Sequence, residues 1–145
     1  MINAGQEDIY YMRLALRQAE EAVAAGDVPI GAVIVRNKQV IARAHNQTEL
    51  LKDPTAHAEM IAITQAASAL GDWRLTETTL YVTKEPCPMC AGAITLARIP
   101  QVIFGAFDPQ SAGELKAAKI TGGVLEEECR ELLQNFFRTL RKQTS

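Results

Sequence analysis

No apolar stretch in this chain approaches the roughly 20 residues needed to cross a membrane; the longest, such as residues 31–35, fall far short. The opening residues Met1-Ile2-Asn3-Ala4-Gly5-Gln6-Glu7 lack the basic-then-apolar pattern of a secretory signal. Basic charge is lacking too. Fifteen Lys and Arg against 17 Asp and Glu leave a net charge of −2, which excludes the whole-chain basicity of a simple nucleic-acid binder. With three cysteines there is no disulfide framework, and a reducing, cytoplasmic setting is expected. Repeats, low-complexity tracts and linkers are also missing, so residues 1–145 are expected to form one domain.

What the chain does have is one histidine and two cysteines in two short motifs. His57-Ala58-Glu59 and Pro86-Cys87-Pro88-Met89-Cys90 supply one imidazole, two thiolates and an unattached carboxylate. Borderline-soft Zn²⁺ prefers nitrogen and sulfur ligands, and three protein ligands leave a fourth tetrahedral position open to water, as in catalytic sites. Cys87 and Cys90 can both reach one metal from the first turn of a helix beginning near Pro88. His57 opens a second helix over about residues 56–70. Two helix N-termini then aim their positive dipole ends at the same point. With His57, Cys87 and Cys90 as ligands, two thiolates already neutralise the metal, so Glu59 is better used to carry protons from water to a substrate ring and its departing amine. A closed structural zinc site would need a fourth ligand, and neither His45 nor Cys129 stands at ligand spacing.

Apolar spacing predicts a first helix over residues 7–25 with Ile9, Met12, Leu16, Ala19 and Val23 on its buried stripe. A hairpin is expected next, with strands at 29–35 and 39–44 around Arg36-Asn37-Lys38. Residues 79–83 and 101–107 read as strands flanking the cysteine helix. Strands this apolar cannot leave one face in water, so the expected fold class is α/β, a single sheet covered by helices on both sides. Residues 108–121 read as loop with one helical turn and a short edge strand at 119–121. Leu125, Cys129, Leu132, Leu133, Phe136, Phe137 and Leu140 then share one face of a last helix, with Cys129 and at least one phenylalanine expected in the core. Arg138, Arg141 and Lys142, with Lys116 and Lys119, offer either a basic rim for phosphate or an ordinary solvated helix end.

The segments Asp27-Val28-Pro29-Ile30-Gly31, His45-Asn46, Asp53-Pro54-Thr55-Ala56-His57-Ala58-Glu59, Tyr81-Val82-Thr83-Lys84-Glu85-Pro86-Cys87-Pro88-Met89-Cys90, Ala97-Arg98-Ile99, Phe104-Gly105-Ala106-Phe107-Asp108 and Phe136-Phe137-Arg138 carry a family resemblance over most of the chain. His-x-Glu followed by Pro-Cys-x-x-Cys is the known signature of zinc nucleobase deaminases. The whole set resembles bacterial tRNA-specific adenosine deaminases of the cytidine-deaminase-like superfamily. The resemblance implies a three-layer α/β/α fold with a five-stranded mixed sheet, a homodimer, one Zn²⁺ per chain, and conversion of adenosine to inosine at the wobble position of a tRNA anticodon loop. It also implies that Asn46 hydrogen-bonds the flipped nucleotide, that the Ala58 N–H meets the base edge, that Val28, Pro29 and Ile30 wall the pocket, and that Asp108 lies near the ribose-phosphate. From the residues alone, Asn46 and Asp108 are equally turn formers, and Pro29 and Ile30 equally core and strand start. One connection departs from the family: about a dozen residues are missing between Asp108 and Ile120-Thr121-Gly122-Gly123-Val124-Leu125, a shortening that costs a surface loop little stability. Single-stranded nucleic acid other than tRNA therefore stays open as partner, and a deaminase of another base (cytosine in single strands, or free guanine or cytosine) is the alternative activity.

Overall fold

In the computed structural model, which describes residues 3–144, the first helix is set by a reciprocal cap. Asn3 Oδ1 accepts from the Gln6 N–H and Gln6 Oε1 from the Asn3 N–H, both at 2.9 Å, so α1 (Ala4–Ala24) starts before the apolar stripe does. The stripe itself is rotated from expectation. Tyr11, Met12, Ala15, Leu16, Ala19 and Ala22 are buried, whereas Ile9 and Val23 stand 42% and 39% exposed. Small residues take the buried face because the helix lies close on the sheet: a Cβ on Gly31 would run into the Ala15 carbonyl and the Ala19 nitrogen.

The predicted hairpin forms from β1 (Gly31–Arg36) and β2 (Gln39–His45), with Asn37 and Lys38 both left-handed in its two-residue turn. Pro29 has no N–H to give a ladder, and β1 begins after it. A short helix α2 (Thr48–Leu51), which apolar spacing does not foresee, precedes α3 (Ala58–Leu70). There follow β3 (Thr79–Lys84), α4 (Pro88–Ala97), β4 (Gln101–Ala106), a 3₁₀ turn (Pro109–Ser111), the edge strand β5 (Lys119–Thr121) and α5 (Glu126–Thr144). The sheet runs β2-β1-β3-β4-β5, with β1 antiparallel to both neighbours and β3, β4 and β5 parallel. It is the expected five-stranded mixed sheet. Met1, Ile2 and Ser145 lie outside the described residues.

Strand alternation splits the core in two. Ala32, Ile34, Leu80, Val82 and Val102 pack under α3 and α4, while Val33, Val35, Tyr81 and Ile103 pack under α1 and α5. The result is helix, sheet, helix. Cys129 is buried on the second side, its Sγ standing where a Cβ on Gly105 would be, and burial pushes its thiol up to about 12. The second half of α5 departs from expectation: Phe136 is half-buried and Phe137 is 39% exposed, so neither fills the core. By that point the helix has passed the strand ends, and clefts open on either side of it, against Val23 and Gly26 of the α1 end and against Ala106 and Phe107. No described helix is long and apolar enough to cross a membrane.

Gly31→Ala and Gly105→Ala are expected to destabilise the protein by about 1–3 kcal/mol each through overpacking. Gly92→Ala, in α4 where a Cβ meets nothing within 4 Å, is expected to be neutral or stabilising. Urea unfolding midpoints of the three variants check this; equal behaviour at all three glycines would contradict the close approach of α1 and α5.

Candidate active site

The carboxyl ends of β2 and β3 deliver the two motifs to one place. His57 is the N-cap of α3 and Cys87 the N-cap of α4, both extended at the cap, and Cys90 follows in the first turn of α4. His57 Nδ1 lies 3.6 Å from Cys87 Sγ and 3.6 Å from Cys90 Sγ, and the three donor atoms all fall within 4.8 Å of one another. One nitrogen and two sulfurs converging in this way can hold a metal ion, and among the described residues this is the one such cluster.

Local hydrogen bonds explain why the chain turns there. Asp53 Oδ1 accepts from the Thr55 N–H at 2.8 Å and from its hydroxyl at 2.7 Å, which holds the Asp53 carboxyl below the usual carboxylate range and sets the Asp53-Pro54-Thr55 turn. The His57 N–H then donates to the Thr55 carbonyl at 2.8 Å. Asn46, buried at the end of β2, accepts the Ala58 N–H on Oδ1 at 2.8 Å, while its own N–H donates to the Ile30 carbonyl. The two groups expected to meet a nucleotide separately are thus bonded to each other. Asp27, also buried, anchors the segment before β1. Its carboxylate accepts from the Val28 N–H, the Thr48 hydroxyl and the Glu49 N–H, each at 2.9 Å, so it serves as the cap of α2. Val28 and Ile30 are half-buried beside it, and Pro29 is fully buried.

Glu59 sits in the first turn of α3 and is only 3% exposed. Its Oε1 is buried and has no hydrogen-bond partner among the described residues. Burial pushes its carboxyl up, and the backbone N–H, His57 and Lys84 oppose that shift. The Cys90 thiol is pushed up as well, first by burial and then by the Glu59 charge. A buried carboxylate oxygen without a partner beside a nitrogen–sulfur–sulfur donor set fits a metal that retains one open position.

Asp108 lies at the end of β4, and its carboxylate is engaged by the protein. Oδ2 accepts from Lys84 Nζ at 2.7 Å and the Ser111 hydroxyl at 3.1 Å, and Oδ1 accepts from the Gln110 N–H at 3.0 Å. Its backbone N–H donates to Glu85 Oε1 at 2.9 Å. Sequence reasoning passed over Asp27, Lys84 and Glu85 as functional residues; the available signal was charge set directly against buried strand residues and Pro86. Of the expected basic rim, Arg138 does flank a cleft of about 480 Å³ beside Phe107 and Phe137, together with Arg130 and Arg141. Lys119 does not belong there. It pairs with Gln101 at the start of β4 and lines a cavity with Glu7, Asp8 and Tyr81, at the end of the sheet away from the cysteines.

Comparison with known proteins agrees with this geometry. The MafB19-like deaminase family matches residues 6–141. A tRNA-specific adenosine deaminase of Bacillus subtilis (strain 168) is 50% identical over 149 residues, covering 94% of this chain and 92% of that protein. The chain belongs to the tRNA-specific adenosine deaminase family. A structure solved in a study of A-to-I editing by tRNA:A34 deaminases superposes with a TM-score of 0.80 at 43% identity, covering 86% of this chain and 99% of that one. The guanine deaminase of Bacillus subtilis is also similar, with a TM-score of 0.67 and 40% identity over 77% of this chain and 69% of that one. The alignment with the Bacillus subtilis relative spans 149 residues and takes in 94% of a 145-residue chain, so some residues of the relative have no counterpart here.

Cys87→Ala is expected to abolish binding of one metal per chain. Because a metal must displace the proton that burial holds on Cys90, binding should weaken as pH falls and release protons into weakly buffered solution. Elemental analysis and proton-release titration check both; a fully metallated Cys87→Ala protein would overturn the ligand set.

Proposed function

We propose that this protein is a zinc-dependent hydrolytic deaminase that converts adenosine to inosine at the wobble position of tRNA, in the cytoplasm. The observation that carries the reading is the buried, unpartnered Glu59 carboxylate beside His57, Cys87 and Cys90, in a chain 50% identical to a tRNA-specific adenosine deaminase. Zn²⁺ held by those three residues would supply Lewis-acid activation of a water molecule. Glu59 takes a proton from that water as its oxygen bonds to C6 of adenine and passes it to the ring nitrogen; it then takes the proton of the new C6 hydroxyl and delivers it to the exocyclic amine. The C6–N bond breaks, ammonia leaves, and inosine carries the water oxygen. A raised carboxyl pKa suits a group that must both accept and return a proton near neutrality.

Asn46 is oriented by the Ala58 N–H and offers its amide nitrogen to the nucleotide. Val28 and Ile30, both half-buried, wall the pocket on the β1 side, and Pro29, expected to share that role, is fully buried between them. The cleft bordered by Phe107, Phe137, Arg130, Arg138 and Arg141 combines aromatic faces with cations, the pairing that receives unstacked bases and phosphates of a single strand. Leu50, Leu51 and Leu96, exposed by 67%, 53% and 76%, supply apolar surface for a second copy in a homodimer. The likeness to a guanine deaminase favours a second reading, action on a free base. Incubation with tRNA, a short anticodon-loop RNA, single-stranded DNA and free guanine, read by mass for the deaminated product, separates the two.

Glu59→Ala is expected to keep metal and fold while losing turnover by about 10²- to 10⁴-fold or more. Loss of metal in that variant would make Glu59 a ligand. Nucleic-acid affinity should fall as salt rises, and Arg138→Ala should flatten the logarithmic salt slope by roughly 0.7, the single-strand value for one phosphate contact. With the connection after Asp108 short, preference for intact tRNA over the anticodon-loop RNA is expected to be modest; strict dependence on intact tRNA would show that recognition uses another surface.

A further inference from the structure

The end of β3 carries a cation whose place the deaminase chemistry does not require. Leu80 and Val82 face the α3 and α4 layer, and strand alternation sends Lys84 to the same side, toward Glu59, whose carboxyl feels its charge. Two carboxylates face it, the buried Glu59 and the largely covered Asp108, whose backbone N–H donates in turn to the buried Glu85. Two thiolates would neutralise a divalent metal at the adjacent site, so Lys84 is the cation that faces these acidic groups. A polyanionic strand that places a nucleotide here must bring its phosphates close to those carboxylates.

Lys84 is built to meet that need. Its side chain keeps 26% exposure, and its ammonium spends one hydrogen bond on Asp108 Oδ2 at 2.7 Å, leaving two of its three donors. Asp108 is itself immobilised by Gln110, Ser111 and Glu85, so it fixes the ammonium at the rim and keeps it from folding back onto Glu59. We propose that Lys84, positioned by Asp108, is a specificity-determining residue that takes the phosphodiester group next to the reacting nucleotide. The inference rests on the nucleic-acid reading above and deepens it: the site prefers a phosphodiester-linked nucleotide to a free nucleoside or base because of this ammonium.

Binding can be measured apart from turnover, by fluorescence anisotropy of a labelled single-stranded anticodon-loop RNA with the metal-loaded Glu59→Ala protein. Replacing the linkages flanking the target nucleotide one at a time by neutral methylphosphonate should weaken binding roughly tenfold at one linkage, as befits loss of one charged hydrogen bond. Lys84→Met should weaken binding of the all-phosphodiester RNA by a similar factor and lower the salt slope by roughly 0.7. Lys84→Met combined with that methylphosphonate should cost no more than either change alone, and Lys84→Arg should retain most of the affinity. The proposal is overturned if no methylphosphonate matters to the Glu59→Ala protein, if the losses simply multiply, or if adding Asp108→Asn to Lys84→Met restores affinity, since Lys84 would then only cancel the Asp108 charge. Failure of the deaminase reading shows elsewhere, as absence of inosine from any RNA with the unsubstituted enzyme.

Discussion

Two helices must begin at one point, and the rest of the site depends on it. A helix N-terminus leaves N–H groups unpaired and concentrates positive potential, so it stabilises thiolate, carboxylate or an activated water nearby. Neither His57 nor Cys87 makes a side-chain cap to its own helix; both are free to turn inward toward each other. The capping requirement is met by other parts of the chain: Asn46 takes the Ala58 N–H, across 12 residues of sequence. Removing Asn46 would therefore disturb the ligand-bearing turn as well as any nucleotide contact, and the two effects share one hydrogen bond.

Small side chains line the inward faces of the two ligand-bearing helices. Ala58, Ala62 and Ala66 line the buried face of α3, which lies close on β1 and β2, while Ala91, Ile94 and Ala97 face inward from α4, which packs against α3. On the opposite face Gly31 and Gly105 admit α1 and Cys129 of α5 to contact with backbone. Bulk on the buried face of α3 would push outward the helix that His57 caps, and ligand geometry is good only to a few tenths of an ångström. The alanines of α3 are thus tied to the position of His57.

Charge is distributed with the same economy. The chain has no basic excess, yet its cations are not spread evenly: Arg130, Arg138 and Arg141 stand by Phe107 and Phe137, Lys84 stands among carboxylates at the mouth, and Lys119 lies at the far end of the sheet. Net charge of −2 speaks against binding nucleic acid indiscriminately. A local patch against a negative remainder would steer the strand of the proposed function toward one approach instead.

The ligand set, the free carboxylate and the alternation of strands and helices were legible in the sequence, because each is a pattern of neighbouring residues: His-x-Glu, Cys-x-x-Cys behind prolines, apolar runs of strand length. Helix boundaries were legible only in part, since α1 begins at an Asn3 and Gln6 pair that hydrophobic spacing ignores, and its buried stripe follows alanines chosen by the approach of Gly31. Other features were decided by which strands lie side by side. Lys84 meets Asp108 across 24 residues because β3 and β4 are parallel neighbours, Asp27 caps α2 across the hairpin, and Phe137 is left exposed because α5 outruns the sheet. Such contacts join residues distant in sequence, and no local periodicity records them; the fold alone brings their charges within hydrogen-bonding distance.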